Sequence, residues 1–144
     1  MKSSNQLKLV LTRRYRFAAS HRLHNARFSE EENSRIYGKC SNPYGHGHNY
    51  VIEVSLSGPL DHATGMIANL ADLDRFVERE VLEDFDHRYL NKELPVFHER
   101  VPTSENLCIE IYSRLKSFPS AKLEGIRLEE TGLNSVEYSG DKGV

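Results

Sequence analysis

Two segments of the chain alternate apolar and polar residues. Residues 7–17 place their apolar side chains on odd positions, and residues 47–57 place them on even positions. A repeat of two residues is typical of a strand with one buried face. The pattern therefore predicts two strands whose inward side chains are Leu7, Leu9, Leu11, Tyr15, Phe17, Tyr50, Ile52, Val54 and Leu56.

Two later segments repeat apolar residues at helical spacing. The first begins near Asn69, which together with Asp72 is typical of a helix N-terminus, and it extends to about Asp84. The second begins at Thr103-Ser104-Glu105. We predict two amphipathic helices whose apolar stripes contain Leu70, Leu73, Val77 and Val81 in the first, and Cys108, Ile111, Tyr112, Leu115 and Phe118 in the second.

Shorter elements complete the predicted order. Ser29 and Glu32 form a capping box for a short helix that Gly38 ends. Residues 66–67 are predicted to begin a short third strand, residues 85–91 to form a loop and residues 126–138 a closing hairpin. This order, without repeats or linkers, predicts one domain over residues 1–144, of α+β class, with helices on one face of a sheet.

Composition and charge narrow the functional class. The chain has 144 residues, of which 38% are hydrophobic and 28% charged, and its net charge is −2. Broad affinity for nucleic acids or membranes needs a basic excess, so neither is expected. Two cysteines are too few for a disulfide framework, and the apolar run at residues 7–11 is too short for a signal peptide or a spanning helix. We therefore expect a cytoplasmic protein.

Two histidines lie at the start of the second predicted strand. His46 and His48 share the parity of its buried face, with their Cα atoms roughly 6.6 Å apart, and Gly45 and Gly47 leave room beside them. His21 continues the buried parity of the first strand. Three imidazoles on paired strands predict a zinc site with an open fourth position, as in catalytic zinc centres. The alternative is three ordinary surface or core histidines.

Cys40 precedes this stretch and allows three interpretations. It is a fourth zinc ligand, a small buried hydrophobe, or a thiol beside the metal whose lowered pKa favours a proton-abstracting thiolate. The sequence alone does not choose between them. Cys108 lies on the stripe of a predicted helix, so we expect it in the core.

Two further positions carry acidic or basic groups of interest. Asp86 beside His87, in a predicted loop, forms either a proton relay or an ordinary surface pair. Glu130 has the inward parity of an apolar strand. Because an unpaired buried carboxylate is costly, Glu130 either holds a ligand with paired N–H groups, such as a pterin, or lies solvated at a strand end.

An ordered set of motifs from about Arg14 to Tyr138 resembles the 6-pyruvoyl-tetrahydropterin synthase family. No single motif is decisive, but the order and spacing of the whole set are specific. The motifs are Phe17-Ala18-Ala19-Ser20-His21, Gly38-Lys39-Cys40-Ser41-Asn42-Pro43-Tyr44-Gly45-His46-Gly47-His48-Asn49-Tyr50, Thr64-Gly65-Met66, Asn69-Leu70-Ala71-Asp72-Leu73, Asp86-His87-Arg88-Tyr89-Leu90-Asn91, Pro102-Thr103-Ser104-Glu105-Asn106 and Glu129-Glu130-Thr131.

The resemblance implies a fold, an assembly and a reaction. The fold is the tunnelling fold, a four-stranded antiparallel sheet with two helices on one face, whose subunits join into β-barrels, here as a homohexamer of two trimers. The reaction is that of a zinc-dependent lyase, which converts 7,8-dihydroneopterin triphosphate to 6-pyruvoyl-tetrahydropterin and triphosphate in tetrahydrobiopterin biosynthesis.

The resemblance also assigns roles to residues. It implies that Zn²⁺ is held by three histidines and that Cys40 abstracts a proton. Asp86 and His87 match a relay pair that reaches the thiol from a neighbouring subunit. The metal ligands are His21, His46 and His48; the catalytic residues are Cys40, Asp86, His87 and Glu130; and the substrate-binding residues are Glu130, Thr103, Ser104 and Glu105.

Two other functions remain open from the sequence. The related 6-carboxy-tetrahydropterin synthase of queuosine biosynthesis shares the fold, the zinc ligands, the cysteine, aspartate and histidine set, and the substrate. The segment at residues 22–39 is more similar to the tetrahydrobiopterin-pathway enzyme. A non-catalytic zinc-stabilised module, with Cys40 as fourth ligand, is the more distant alternative.

Overall fold

The computed structural model describes residues 8–141, so Leu7 of the first predicted strand lies outside the described residues. Its five strands form one sheet in the order β3-β1-β2-β4-β5. β1 and β2 are antiparallel over their whole length, with His21 opposite His46. The strands are β1 (Val10–His21), β2 (His46–Ser57), β3 (Arg88–Tyr89), β4 (Lys122–Thr131) and β5 (Asn134–Tyr138).

Three helices accompany the sheet. They are α1 (Glu30–Tyr37), α2 (Leu70–Val77) and α3 (Ser104–Leu115), and α2 continues through a π-helical turn (Glu78–Leu82) and a last α-helical turn (Glu83–Phe85). Single turns of helix lie at Gly38–Ser41, Leu90–Glu93 and Pro95–Phe97. Within residues 8–141, a helix with the length and apolar character needed to cross a membrane does not occur.

Each helix begins where the sequence provides a cap. The Ser29 hydroxyl accepts from the backbone N–H of Glu32, whose carboxylate accepts from the N–H of Ser29 in return. Asn69 caps α2 through the N–H of Asp72 in the same way. Gly38 follows α1 with φ of 60°, a backbone conformation that glycine adopts without steric cost. The predicted helix starts and the end at Gly38 are therefore confirmed, whereas α3 ends at Leu115, before Phe118 of its predicted stripe.

The core lies between one face of the sheet and helices α2 and α3. Phe17 stacks on Tyr50 with ring centroids 4.9 Å apart, and Phe85 packs edge-on against Phe17 at 5.6 Å. The opposite face of the sheet is polar and carries ion pairs such as Arg127 with Glu53. Helices on one face of a sheet give the predicted α+β class, and the deep core contains Tyr50, Ile52, Val54, Leu56, Leu73, Val77, Leu107, Cys108, Ile111, Leu115, Ile126 and Leu128.

Two details of the predicted sheet are wrong. Residues 66–67 form no strand, and the third strand is instead β3, in the segment predicted as a loop. β3 pairs in parallel with Ala19 and Ser20 of β1, so the sheet has five strands rather than four antiparallel ones. A two-residue strand contains no repeat from which a period can be read, so only its neighbour defines it.

Candidate metal centre

Three histidines converge at one end of the sheet. His21 ends β1 and His46 begins the antiparallel β2, while His48 lies two residues further along on the same face. Their metal-binding nitrogens all lie within 4.8 Å of one another, and the Nε2 atoms of His21 and His46 are 3.1 Å apart. Strand pairing and parity therefore produce a cluster that could hold one metal ion.

The imidazole of His21 is fixed by its surroundings. It is fully buried, and its Nδ1 lies 2.8 Å from the carbonyl oxygen of Pro102 and 3.4 Å from the hydroxyl of Tyr50. A proton on Nδ1, donated to the Pro102 carbonyl, leaves the lone pair of Nε2 directed at the other histidines. This is the tautomer that a metal site with an Nε2 ligand requires.

Burial favours the neutral form of two of the three imidazoles. The pKa of His21 is lowered to about 4, chiefly by burial and in part by the nearby His46, while the Pro102 hydrogen bond opposes the shift. Burial also lowers the pKa of His48. Metal ions bind neutral imidazole, so the lowered pKa values of these two side chains favour metal binding at neutral pH. Three imidazole nitrogen donors fit a zinc-type ion.

Glu130 faces the cluster from β4. It lies at an irregularity in the β4–β5 pairing, between Glu129 and Thr131, and such bulges redirect side chains. Its Oε2 atom is 3.8 Å from Nε2 of both His21 and His48, and its side chain is only 16% exposed. The inward orientation that the strand parity predicted is therefore the one that the structure has.

The carboxylate of Glu130 stays ionised despite its burial. Burial alone would raise its pKa, but the pKa is lowered overall because the Asn134 amide, the Ser104 hydroxyl and the imidazoles of His48 and His21 favour the charged form. The Asn134 amide donates to Oε1 at 3.2 Å. A fixed negative charge thus lies beside the three nitrogen ligands.

The predicted substrate-binding segment begins α3 next to Glu130. Thr103 is the helix cap, and its hydroxyl accepts from the N–H of Asn106 at 3.2 Å. Ser104 is buried, and its hydroxyl lies near Glu130 but has no hydrogen-bond partner among the described residues. Glu105 is exposed. The Ser104 hydroxyl therefore lies beside the carboxylate whose charged form it favours, while Thr103 is occupied by its capping role.

Cys40 lies outside the group of potential metal ligands. In the described part of the chain, the group of potential metal ligands comprises the three histidines without the Cys40 sulfur. The Cys40 thiol is partly exposed, and its backbone carbonyl accepts from the N–H of Leu23 at 2.9 Å. The pKa of Tyr50 is raised by burial and, to a smaller extent, by the charges of Glu130 and Cys40, so both groups lie near that ring.

Asp86 and His87 form a pair at a separate, exposed position. The Asp86 carboxylate lies 3.0 Å from Nδ1 of His87 and accepts from the backbone N–H of Ala18 at 2.9 Å. His87 has a positive φ of 63°, and 81% of its side chain is exposed. His87 and His48 line a common cavity of about 610 Å³. The pair is thus preorganised but open in the single chain.

Sequence reasoning missed three residues of the site. Tyr50 and Pro102 contact Nδ1 of His21, and Asn134 holds Glu130. Tyr50 had a readable signal, because it shares the parity of His46 and His48 on the same strand. Pro102 contributes a backbone carbonyl and Asn134 a contact across a hairpin, which no side-chain pattern reveals.

The fold and the cluster together define a class, an α+β protein with three histidine ligands on neighbouring strands of one sheet. A comparison with models of known families identifies one family within this class. The model of 6-pyruvoyl tetrahydropterin synthase matches residues 10–141. The chain belongs to that family.

Individual relatives agree with this assignment. A 6-pyruvoyl tetrahydrobiopterin synthase of Poecilia reticulata is 46% identical over 132 residues, covering 91% of this chain and 90% of the relative. The solved structure of the Caenorhabditis elegans 6-pyruvoyl tetrahydropterin synthase superposes with a TM-score of 0.88 at 41% identity, covering 92% and 96% of the two chains. A 6-carboxy-5,6,7,8-tetrahydropterin synthase of Haemophilus influenzae is 26% identical over 121 residues, covering 70% of this chain and 84% of the relative.

Proposed function

We propose that this chain is a zinc-dependent lyase that converts 7,8-dihydroneopterin triphosphate to 6-pyruvoyl-tetrahydropterin and triphosphate. The observation that carries the proposal is the three-histidine cluster with an ionised carboxylate, Glu130, on one side and a thiol, Cys40, outside the group of ligands. A closed structural zinc site needs a fourth protein ligand. Among the described residues, the group of potential ligands contains three.

The reaction balances without any co-reactant. Product and triphosphate together contain all the atoms of the substrate, so no water, oxidant or reductant is consumed. The carbon–oxygen bond to triphosphate breaks as the neighbouring hydroxyl-bearing carbon loses a proton, and the resulting enol becomes a carbonyl beside a new methyl group. The hydroxyl-bearing carbon next to the ring becomes the second carbonyl, and its two hydrogens reduce the dihydropterin ring to the tetrahydro level. The enzyme therefore has to move protons between neighbouring carbons and the ring.

The residues of the chain divide this task. A zinc ion held by His21, His46 and His48 would supply Lewis acidity that makes the hydrogens beside the side-chain oxygens more acidic. The Cys40 thiolate takes a proton from carbon. His87, oriented by Asp86, returns a proton elsewhere on the substrate.

We infer that this division of roles involves more than one subunit. His87 points into solvent in the single chain, whereas proton transfer needs contact with the substrate. We infer that a neighbouring subunit brings its Asp86–His87 pair to the thiol, as the family resemblance implies, within a homohexamer built from two trimers. The active sites then lie at subunit interfaces.

Glu130 combines substrate binding and catalysis in this proposal. An ionised, mostly buried carboxylate suits the paired N–H groups of a pterin edge. Ser104 and Thr103 lie on the adjoining wall with Glu105 at its rim. Because Oε2 of Glu130 is also within 3.8 Å of two imidazoles, a ring held there has its side chain beside the cluster.

Product analysis tests the proposed reaction. Purified, zinc-loaded protein is incubated with 7,8-dihydroneopterin triphosphate, and pterin products and inorganic triphosphate are followed by chromatography. We expect one triphosphate per 6-pyruvoyl-tetrahydropterin, with the three-carbon side chain retained. Shortening of the side chain to a carboxyl group with release of acetaldehyde would identify the 6-carboxy enzyme instead, and no turnover would refute both.

Substitution of Glu130 separates its two roles. Glu130→Gln preserves the shape of the side chain but removes its charge. If Glu130 only anchors the substrate, the variant should have a raised KM with kcat little changed. If Glu130 also takes part in proton transfer, kcat should be lower. Zinc content is expected to stay the same, because Glu130 is outside the ligand group. Unchanged KM and kcat would remove Glu130 from the site.

A further inference from the structure

A strongly basic cavity of about 390 Å³ adjoins the histidine cluster. Two loop segments, residues 22–27 and 91–102, form its walls. Among the described residues that line it, Glu99 is the only acidic one. The basic lining residues are Arg22, His24, Arg27, Lys92, His98 and Arg100. In a chain with a net charge of −2, this is a marked local excess of positive charge.

The permanent charges of the cavity are not neutralised by protein carboxylates. None of its four lysine and arginine side chains has an ion pair within 4.0 Å in the part of the chain that the structure describes. Arginines of the sheet differ, since Arg13 pairs with Asp74 at 2.7 Å and Arg127 with Glu53 at 3.3 Å. Converging, unneutralised cations attract an anionic ligand.

The cavity is joined to the histidine cluster by one peptide bond and one hydrogen bond. Arg22 directly follows His21, and Pro102, whose carbonyl accepts from Nδ1 of His21, lies in the cavity wall. The Arg22 side chain donates to the carbonyl of Ser41 at 2.9 Å. The amide of Asn91 holds the backbone of Arg22 through two hydrogen bonds of 2.8 Å. Arg22 is therefore a fixed cation beside the cluster.

We propose that this cavity binds the triphosphate of the substrate and holds it until it is released. The inference rests on the proposed function. In dihydroneopterin triphosphate, the two hydroxyl-bearing carbons are followed by a terminal carbon that carries the triphosphate ester. A substrate with its hydroxyls at the cluster must therefore place its phosphates in an adjacent space. Guanidinium groups bind phosphate oxygens in pairs, which favours a site rich in arginine. Three of the cations are exposed to solvent, namely Arg27, Lys92 and Arg100. An exposed site suits triphosphate, because this leaving group has to dissociate after the reaction.

A charge-removal variant tests the site by direct binding. In Arg27→Gln/Lys92→Gln/Arg100→Gln, three exposed cations of the cavity become neutral while the folded core is untouched. A matched control, Arg35→Gln/Lys116→Gln/Lys122→Gln, removes the same charge from exposed positions outside the cavity. Both are prepared as full-length, zinc-loaded protein, and circular dichroism checks their folding.

Inorganic triphosphate is the probe, and calorimetry gives its Kd. We expect the cavity variant to bind triphosphate at least about tenfold more weakly, since each lost arginine removes charge-assisted hydrogen bonds. The control variant should stay within about twofold, and neopterin lacking phosphates should bind all forms equally. Inorganic monophosphate should bind wild type far more weakly than triphosphate, which distinguishes a polyphosphate site from a general anion site.

The outcomes separate this inference from the proposed function. If wild type turns over the substrate while the cavity variant keeps its triphosphate Kd and substrate KM, the inference is wrong and the function stands. Equal losses in the control variant, or no triphosphate binding by wild type, would also overturn it. If only the cavity variant loses triphosphate binding but wild type forms no pyruvoyl product, the binding site stands and the proposed reaction is wrong.

Discussion

Two of the regions that contain histidines contrast with each other: the paired ends of β1 and β2, and the turn before β3. His21 and His48 lie on paired strands with side chains 0% and 17% exposed, whereas His87 lies on a turn with positive φ and is 81% exposed. The antiparallel pairing of β1 with β2 fixes the relative positions of His21 and His48, because it sets which residues lie opposite each other. The imidazole of His87 is oriented by its neighbour Asp86, and its backbone N–H donates to the carbonyl of Ala18. One region is a group of potential metal ligands held by paired strands, and the other is an exposed pair on a turn.

This difference indicates what each region needs in order to work. A metal ion requires several donor atoms at fixed positions, which a sheet can supply within one chain. A proton relay requires an oriented imidazole and then contact with a substrate. The exposed pair makes that contact when a bound substrate, or a neighbouring subunit that carries one, lies against it. The contrast therefore predicts a ligand set complete in one chain and a relay completed by assembly.

The largest effect is expected from breaking the ligand set. His46→Ala removes one of three nitrogen donors, so metal affinity should fall by more than about 100-fold, and turnover should be lost with the metal. Metal content after dialysis is the measurement. His62→Ala, at an exposed position outside the cluster, is the control and should bind one metal ion per chain. Equal metal content in the two variants would contradict the assignment.

The next effect concerns the thiol beside the cluster. Cys40→Ala should keep its metal and fold but lose turnover by about 10²- to 10⁴-fold, the usual contribution of a general base. Cys108→Ala is the matched control, because that thiol is buried in the core and should affect stability rather than turnover. Loss of both metal and fold in Cys40→Ala would instead support the structural zinc module.

Mixing two inactive variants tests the predicted assembly. Cys40→Ala and His87→Gln are denatured or dissociated together and reassembled in equal amounts. If thiol and relay come from different subunits, about a quarter of the sites recover both wild-type groups and activity returns to that extent. Reassembly of each variant alone is the control. A mixture as inactive as its components would place the two groups in the same subunit or remove one of them from the mechanism.

The smallest effect is a pH dependence of the metal-free protein. Unfolded His21, with an ordinary pKa of about 6.5, binds a proton that folded His21, with a pKa of about 4, does not. The free energy of unfolding should therefore fall as pH decreases below 6.5, by about 2 kcal/mol at most between pH 7.5 and 5.0. Denaturant titrations of the chelator-treated protein measure it. His21→Gln should flatten the dependence and His62→Gln should not; identical slopes for both would contradict the assignment.

Most of the fold could be predicted from the sequence, because strand parity and helix caps depend on residues that are close together in the chain. The parity of β2 and the caps at Ser29, Asn69 and Thr103 follow from interactions within a few residues, and all are found in the structure. The strand at residues 66–67 failed because two apolar residues in a turn region have no partner strand to pair with. For the same reason the sequence did not predict β3, which is a strand only through its pairing with β1.

The part of the site that follows from the alternation of side chains along the strands could be predicted from the sequence. His21, His46 and His48 could be placed on one face from the sequence, and the structure brings them together. The hydrogen bond from His21 to Pro102 joins residues 81 positions apart, so no local rule includes it. The same holds for the basic cavity, since its two walls come from distant segments.

The sequence by itself determined the alternation that turns three imidazoles to one side, the caps that begin the helices and the motifs that identify the family. These depend on neighbouring residues and on the fixed periods of strand and helix. The tertiary structure decided the tautomer of His21, the ionised state of Glu130 and the position of Cys40 outside the ligand group. Those properties depend on burial and on contacts between distant segments, which exist only once the chain has folded.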